Sequence, residues 1–144
     1  MTYFEDLTPY SYFDHKFPAH LNVLSVGWLE SGKDFTVGET PAEFHRKLMQ
    51  LIEDYSIGRT RGWHGCTLPH GEQVMTYPCS VRSGGRTVTL GSAEVGVVGA
   101  GGVIMVAPNL IYHYVTDHLY LPPSVFVEAV LEGNFFETSA SILD

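Results

Sequence analysis

The chain has 144 residues and a mass of 15.9 kDa, which is typical of one domain with its own core. Its 16 acidic residues against 8 basic ones give a net charge of −8 and a pI near 5.2. The basic residues form no cluster, and an acidic field repels phosphate, so nucleic acid and anionic lipid are excluded as expected partners. A basic protein partner is compatible with this charge.

The sequence carries no obvious targeting or membrane signal. It begins Met-Thr-Tyr-Phe-Glu-Asp, without a basic and apolar leader, and no apolar run approaches the roughly 18 residues that span a bilayer. We therefore expect a cytoplasmic protein with both cysteines, Cys66 and Cys79, reduced, and Cys79 acting as a small buried hydrophobe. Without repeats or linkers, residues 1–144 are predicted to form a single globular domain.

The first third of the chain predicts an arm, a strand and a helix. The aromatic segment 2–18 is expected to lie extended across the core, with its rings buried and its hydroxyls at the rim. Residues 21–29 are rich in strand formers and predict the first strand. Residues 40–55 predict the clearest helix, in which Thr40 is the N-cap, Pro41 follows at the first helical position and Glu43 completes a capping box. Gly58 is expected to stop it.

The remaining chain predicts two hairpins and two further helices. Strands at 80–82 and 86–90 flank Ser83-Gly84-Gly85, and strands at 93–98 and 103–106 flank the glycine-rich run 99–102. Helices are predicted over 108–117 and 123–132, and residues 135–144 are expected to be weakly ordered. The pattern indicates an α+β fold in which three helices pack on one antiparallel sheet of about five strands.

The densest chemistry lies in the loop that follows the first predicted helix. His64, Cys66 and His70 occur there within seven positions, and imidazole and thiolate are the usual protein ligands of zinc. The glycine and proline between them favour a tight turn. A fourth ligand has to come from elsewhere, and His113 and His118 are the candidates.

Helix geometry favours His113 as that fourth ligand. Residues 113 and 118 lie about 140° apart around a helix, so both can face one metal only if the helix ends between them. His113 and Asp117 share a face, and the carboxylate there is placed to orient the imidazole. The predicted zinc site, structural or hydrolytic, therefore consists of His64, Cys66, His70 and His113.

Two other interpretations of these residues stay open. In a thiol enzyme, Cys66 would be the nucleophile, His64 or His113 its base and Asp117 the orienting acid. In a zinc hydrolase, Glu94 or Asp117 would act as the general base. No complete catalytic set is evident, so an enzyme is the less favoured hypothesis and no catalytic residue is assigned.

A small-ligand pocket is a further hypothesis. Arg59 and Arg61 flank the histidine and cysteine loop and are suited to an anion. Trp63, Tyr112 and Tyr114 would supply its aromatic walls.

Five segments of the chain resemble a family of small uncharacterised bacterial proteins. They are Tyr-Phe-Glu-Asp-Leu-Thr-Pro-Tyr at 3–10, Val-Gly-Trp-Leu at 26–29, Arg-Gly-Trp-His-Gly-Cys at 61–66, Gly-Ser-Ala-Glu-Val at 91–95 and Ala-Pro-Asn-Leu-Ile-Tyr-His-Tyr-Val at 107–115. The resemblance implies no particular activity. In that family the loop is similar to His-x-Cys-x2-Cys, whereas Pro69 stands at the second cysteine here and His70 follows. If the family has a metal site, this departure implies that the site is lost in this chain or rebuilt with His70, and it argues against a cysteine-pair redox role.

The favoured functional hypothesis is an acidic interaction protein with an unknown partner, such as an immunity-type or accessory factor. The sequence is 17% charged and 12% aromatic, with a mean hydropathy of +0.04. These values are compatible with apolar surface left for a partner, although an aromatic-rich core accounts for them equally. Zinc binding is the alternative.

Overall fold

The fold is α+β, and its strands form two sheets. In the computed structural model, which describes residues 3–10, 21–58, 63–70 and 78–137, a three-stranded sheet has the order β1-β5-β4 and a separate hairpin pairs β2 with β3. The strands are β1 (Val23–Ser25), β2 (Ser80–Ser83), β3 (Arg86–Thr89), β4 (Glu94–Val98) and β5 (Ile104–Pro108). The helices are α1 (Ala42–Tyr55), α2 (Ile111–Asp117) and α3 (Ser124–Leu131).

The prediction of one antiparallel five-stranded sheet is wrong in its pairing. β1 runs parallel to β5, with Val23 opposite Ile104, whereas β4 and β5 form the predicted antiparallel hairpin. The hairpin of β2 and β3 is also confirmed, but it stands apart from the larger sheet among the described residues. Alternating hydrophobicity predicts that a segment is a strand, but it does not choose the strand's neighbour.

Helix α1 is confirmed over most of its length, although its predicted capping box is wrong. The helix begins after Pro41, and no side chain caps its first turn. Thr40 Oγ1 instead contacts His45 Nε2 at 2.7 Å, and Glu43 forms an ion pair with Arg46. The buried face of α1 is the apolar stripe of the sequence, and α1 ends at Tyr55, before Gly58.

The ends of the other two helices also differ from prediction. Pro108 is the last residue of β5, so α2 begins three residues later, at Ile111. Helix α3 spans Ser124–Leu131, which is one residue shorter at each end than predicted.

Both terminal segments pack against the sheet. The described part of the arm lies antiparallel to β1, where the Tyr10 N–H donates to the Val23 carbonyl at 3.0 Å. Tyr10 is buried, and its hydroxyl donates to Glu94 at 2.5 Å, so this hydroxyl does not lie at the rim. At the other end the Phe136 N–H donates to the Gly96 carbonyl, and Phe136 is buried. This corrects the prediction of weak order for residues 135–137, whereas residues 138–144 lie outside the described residues.

The core lies between the sheet and the helices. Its buried side chains come from α1, α2, α3, β4 and β5, and Phe44, Tyr114 and Phe126 are among the largest. Cys79 is free and buried in this core, as predicted. Among the described residues, no helix is long and apolar enough to cross a membrane.

Candidate metal centre

The candidate site lies between the segment 63–70 and the carboxyl end of α2. The segment is irregular, and three contacts hold it in place. The His64 N–H donates to the Gly91 carbonyl at 2.8 Å, the Thr67 hydroxyl accepts from the Ser31 N–H at 3.1 Å, and Leu68 is buried in the core. Because Leu68 is fixed, Cys66 and His70 on either side of it are held near α2.

Gly91 is essential to this arrangement because nothing larger fits where the two segments meet. A Cβ at residue 91 would lie 2.2 Å from the His64 carbonyl oxygen, and the φ of Gly91 is +109°. Its N–H donates to the side-chain oxygen of Asn109 at 2.6 Å, just before α2. The buried Asn109 thereby links α2 to the segment that carries Cys66.

Helix α2 presents one face to the core and another to the site. Ile111, Tyr114 and Val115 are buried in the core, whereas His113 is buried against the segment 63–70. His113 Nδ1 lies 3.3 Å from Asp117 Oδ2, one helical turn later, as the spacing predicted. With the Nδ1 proton donated to this carboxylate, the lone pair of His113 Nε2 faces the site.

The end of α2 returns His118 to the same point. The helix ends at Asp117, His118 has φ −116° and ψ 3°, and Leu119 has a positive φ of 55°. The N–H groups of His118 and Tyr120 both donate to the Tyr114 carbonyl, at 3.1 and 3.0 Å. The helix therefore ends between His113 and His118, which is the condition under which both face one metal.

Four potential ligand atoms converge here. His70 Nε2 lies 3.1 Å from both His113 Nε2 and His118 Nε2, and Cys66 Sγ lies 3.4 Å from His118 Nε2. All four atoms lie within 4.8 Å of one another. In a tetrahedral zinc site, bond lengths of about 2.05 Å to nitrogen and 2.3 Å to sulfur place two nitrogens about 3.3 Å apart and nitrogen and sulfur about 3.6 Å apart. The group can therefore hold a metal ion.

The protonation of the group also suits a metal. Burial lowers the pKa of His113 and of His118, and this effect outweighs the Asp117 carboxylate, which raises both; neighbouring histidines lower them further, so these two rings are mainly neutral at physiological pH. Burial raises the pKa of the Cys66 thiol. Metals bind neutral imidazole and thiolate, so binding of an ion would release the thiol proton of Cys66.

The structure places the other predicted site residues in different surroundings. His64 is not part of the group of four, in which His118 stands instead of the predicted His64. Half-buried His64 instead fixes the segment through its backbone, and burial lowers the pKa of its ring. Glu94 is buried beside Tyr10.

The three aromatic residues that were predicted to line one ligand pocket lie in different surroundings. Tyr114 is buried in the core with 1% exposure, so it cannot line an open pocket. Trp63 lines a cavity of about 200 Å³ with Arg86 and Asn109, whereas Tyr112 lines a different one of about 390 Å³ beside α1. Arg59 and Arg61 lie outside the described residues.

These features define a compact α+β domain with a preformed group of one cysteine and three histidines. The chain belongs to the family described as a domain of unknown function, DUF7919, which matches residues 2–131. Comparison with curated proteins and with solved structures gave no match.

Proposed function

We propose that this domain binds one zinc ion through Cys66, His70, His113 and His118, and that the ion has a structural role. The observation that carries the proposal is the convergence of the four ligand atoms, which all lie within 4.8 Å of one another and have three separations of 3.1–3.4 Å, close to those of a tetrahedral site. Neutral imidazole together with thiolate favours zinc over magnesium or calcium, which prefer oxygen ligands.

The ligand count supports a structural role over a hydrolytic one. A catalytic zinc usually keeps one coordination position for water, whereas four protein ligands fill a tetrahedral site. The ligands also come from two parts of the chain, the segment 63–70 and the end of α2. An ion bound there would tie the irregular segment to the helix.

A thiol enzyme is less well supported. A nucleophilic cysteine needs a lowered thiol pKa, and burial raises that of Cys66. The Asp117 carboxylate raises it as well, so the nearest acid disfavours the thiolate.

Metal analysis of protein purified without added metal tests the proposal. We expect about one zinc per chain, and we expect Cys66→Ser and His118→Ala to lose it. His64→Ala is the matched control, because His64 lies in the same segment but outside the ligand group. Retention of zinc by His118→Ala together with its loss from His64→Ala would contradict the ligand set, and metal-free folded protein would overturn the proposal.

Cobalt substitution provides an independent measurement of the geometry. A tetrahedral site with one thiolate gives intense visible ligand-field bands and a near-ultraviolet sulfur charge-transfer band. We expect both in the wild type and in His64→Ala. Weak octahedral bands would contradict a closed site of four protein ligands.

We also propose that the domain binds a protein partner of basic charge, as an immunity-type or accessory factor would. The net charge of −8 supports this, as do two exposed apolar side chains on neighbouring segments, Val37 at 63% and Leu119 at 49% exposure. The Gly38 N–H donates to the Leu119 carbonyl, which brings the two segments together. Capture of a basic protein should weaken with salt and with Val37→Ser, and capture insensitive to both would contradict the proposal.

A further inference from the structure

A second site candidate lies at the amino-terminal segment, away from the cysteine and histidine group. A cavity of about 430 Å³ opens there, within the range of about 300–1,000 Å³ that is typical of small-molecule sites. Three aromatic rings and three carboxylates line it, and they belong to Tyr3, Phe4, Phe35, Glu5, Asp6 and Asp34. Rings and carboxylates in one cavity are the combination that recognises an organic cation.

The charges around the cavity are arranged for a positive ligand. Glu5 and Asp34 are exposed at its edge, and Asp6 is held in place because its carboxylate accepts from the Gly27 N–H and the Tyr120 hydroxyl. The pKa of Tyr3 is raised by burial and then by the nearby carboxylates, which include Glu5, Asp6 and Asp34. The Tyr3 ring therefore lies in a negative potential, to which its own π face adds.

A lysine of the protein itself makes a cation–π contact with the Tyr3 ring. The Lys33 ammonium nitrogen lies 5.4 Å from the centre of the Tyr3 ring, within the distance of a cation–π contact. Lys33 is exposed, so it can leave the ring at little energetic cost. Its position identifies a face of the cavity that an ammonium group accepts.

We propose that this cavity binds a small organic ammonium compound, with its alkyl groups against Tyr3 and Phe35 and its charge balanced by Glu5, Asp6 and Asp34. An inorganic divalent ion fits less well, because the rings offer it no ligands. Among the described residues, closely converging ligand atoms occur at the cysteine and histidine group and not at these carboxylates.

A pair of probes with the same shape and different charge tests the proposal. Choline is compared with 3,3-dimethyl-1-butanol, in which carbon replaces the ammonium nitrogen, by NMR titration of the full chain as purified. We expect choline to bind at least about tenfold more tightly, with shifts at Tyr3 and Asp34. Equal binding of the two compounds, or no binding of choline, would overturn the proposal.

Substitutions separate the ring contact from the general acidity of the protein. Tyr3→Phe should retain choline binding and Tyr3→Leu should weaken it about tenfold, since only the first keeps the π face. Lys33→Gln should bind choline about threefold more tightly because the competing ammonium is gone. Lys47→Gln on α1 removes the same charge elsewhere and should have a smaller effect. An unchanged or weaker affinity of Lys33→Gln would overturn the assignment of the Tyr3 face.

Discussion

The contact between His113 and Asp117 determines which nitrogen of the ring faces the candidate metal. The Asp117 carboxylate lies 3.3 Å from His113 Nδ1 and accepts from the Thr116 hydroxyl at 2.9 Å, so two contacts hold its orientation. Asp117→Asn keeps the shape but removes the charge that holds the tautomer. We expect zinc affinity to fall about 10- to 100-fold, measured by competition with a chromophoric chelator.

Asp54→Asn is a suitable control for this prediction. Asp54 is also an exposed acid in the last turn of a helix, so its replacement has a similar effect on the helix dipole. It does not belong to the ligand group, and zinc affinity should stay within about twofold of wild type. Equal losses in the two variants would show that Asp117 acts only through general charge.

Asp6 makes stability depend on pH in a definite direction. Burial raises its pKa, and this outweighs the hydrogen bonds from Gly27 and Tyr120, which lower it. The folded state thus holds the proton more tightly than the unfolded state, in which the pKa of this carboxyl is about 3.9. Stability contributed by the protonated group is present below that pH and is lost as pH rises through the folded pKa.

Comparison with Asp6→Asn isolates this effect, because asparagine does not titrate. The free energy of unfolding of the wild type, minus that of Asp6→Asn, should decrease as pH rises from about 3.9 and level off above the folded pKa. Urea denaturation at a series of pH values measures this difference. An increase over the same range would contradict the raised pKa.

The candidate ligands show how far single residues can be interpreted from sequence. Residue types and spacing pointed to Cys66, His70 and His113, which the structure groups with His118. The end of α2 at Asp117 was also predictable, and it is what allows His118 to face the site. The direction of His64 was not predictable, because the segment 63–70 is irregular and has no period that fixes its side chains.

At the level of elements, local patterns were predictable and long-range pairing was not. The apolar stripe of α1 and the glycine turns of both hairpins are signals contained within a few residues. The parallel pairing of β1 with β5 joins residues 23–25 to residues 104–106. That choice depends on how the whole core packs, since a short apolar strand suits either neighbour.

Because Gly91 lies close against the segment 63–70, we expect Gly91→Ala to destabilise the protein. The added Cβ would lie 2.2 Å from the His64 carbonyl oxygen, so the segment must move. We expect a loss of about 2–4 kcal/mol in the free energy of unfolding, together with weaker zinc binding. Chemical denaturation and the chelator competition measure the two effects.

Gly84→Ala separates steric overlap from backbone strain. Gly84 also has a positive φ, of 56°, but nothing lies within 4 Å of an added Cβ in its hairpin turn. This variant should lose only about 1–2 kcal/mol and should bind zinc normally. If Gly91→Ala is no more harmful than Gly84→Ala, the close contact with His64 is not a constraint on the fold.

Across the whole molecule, the described residues of the five motif segments lie at two places. Asp6 of the first segment accepts from the backbone of Gly27 in the second, and Phe4 packs edge-to-face on Trp28 at 5.5 Å. Described residues of the other three segments meet beside the candidate metal centre, where the Gly91 N–H donates to the Asn109 side chain and the Gly91 carbonyl accepts from the His64 N–H. One group of motifs thus builds the sheet edge, and the other positions the metal ligands.

Metal removal should loosen the site without unfolding the domain, because the two depend on different contacts. The core of β4, β5, α1 and α3 is formed by apolar burial, whereas the segment 63–70 enters it mainly through Leu68. With free zinc about a thousandfold above its dissociation constant, binding adds about 4 kcal/mol to the free energy of unfolding. A chelator should therefore lower the melting temperature and leave the circular dichroism of the cold protein nearly unchanged.

Hydrogen exchange distinguishes local opening from global unfolding in the metal-free protein. The His64 N–H, bonded to Gly91, should lose protection when zinc is removed. The Val26 N–H, bonded to the Val106 carbonyl beside the sheet, should keep most of its protection because its surroundings remain packed. Loss of protection at both sites would mean that the fold itself requires the metal, as in zinc fingers. Unchanged protection at both would mean that zinc does not hold this segment.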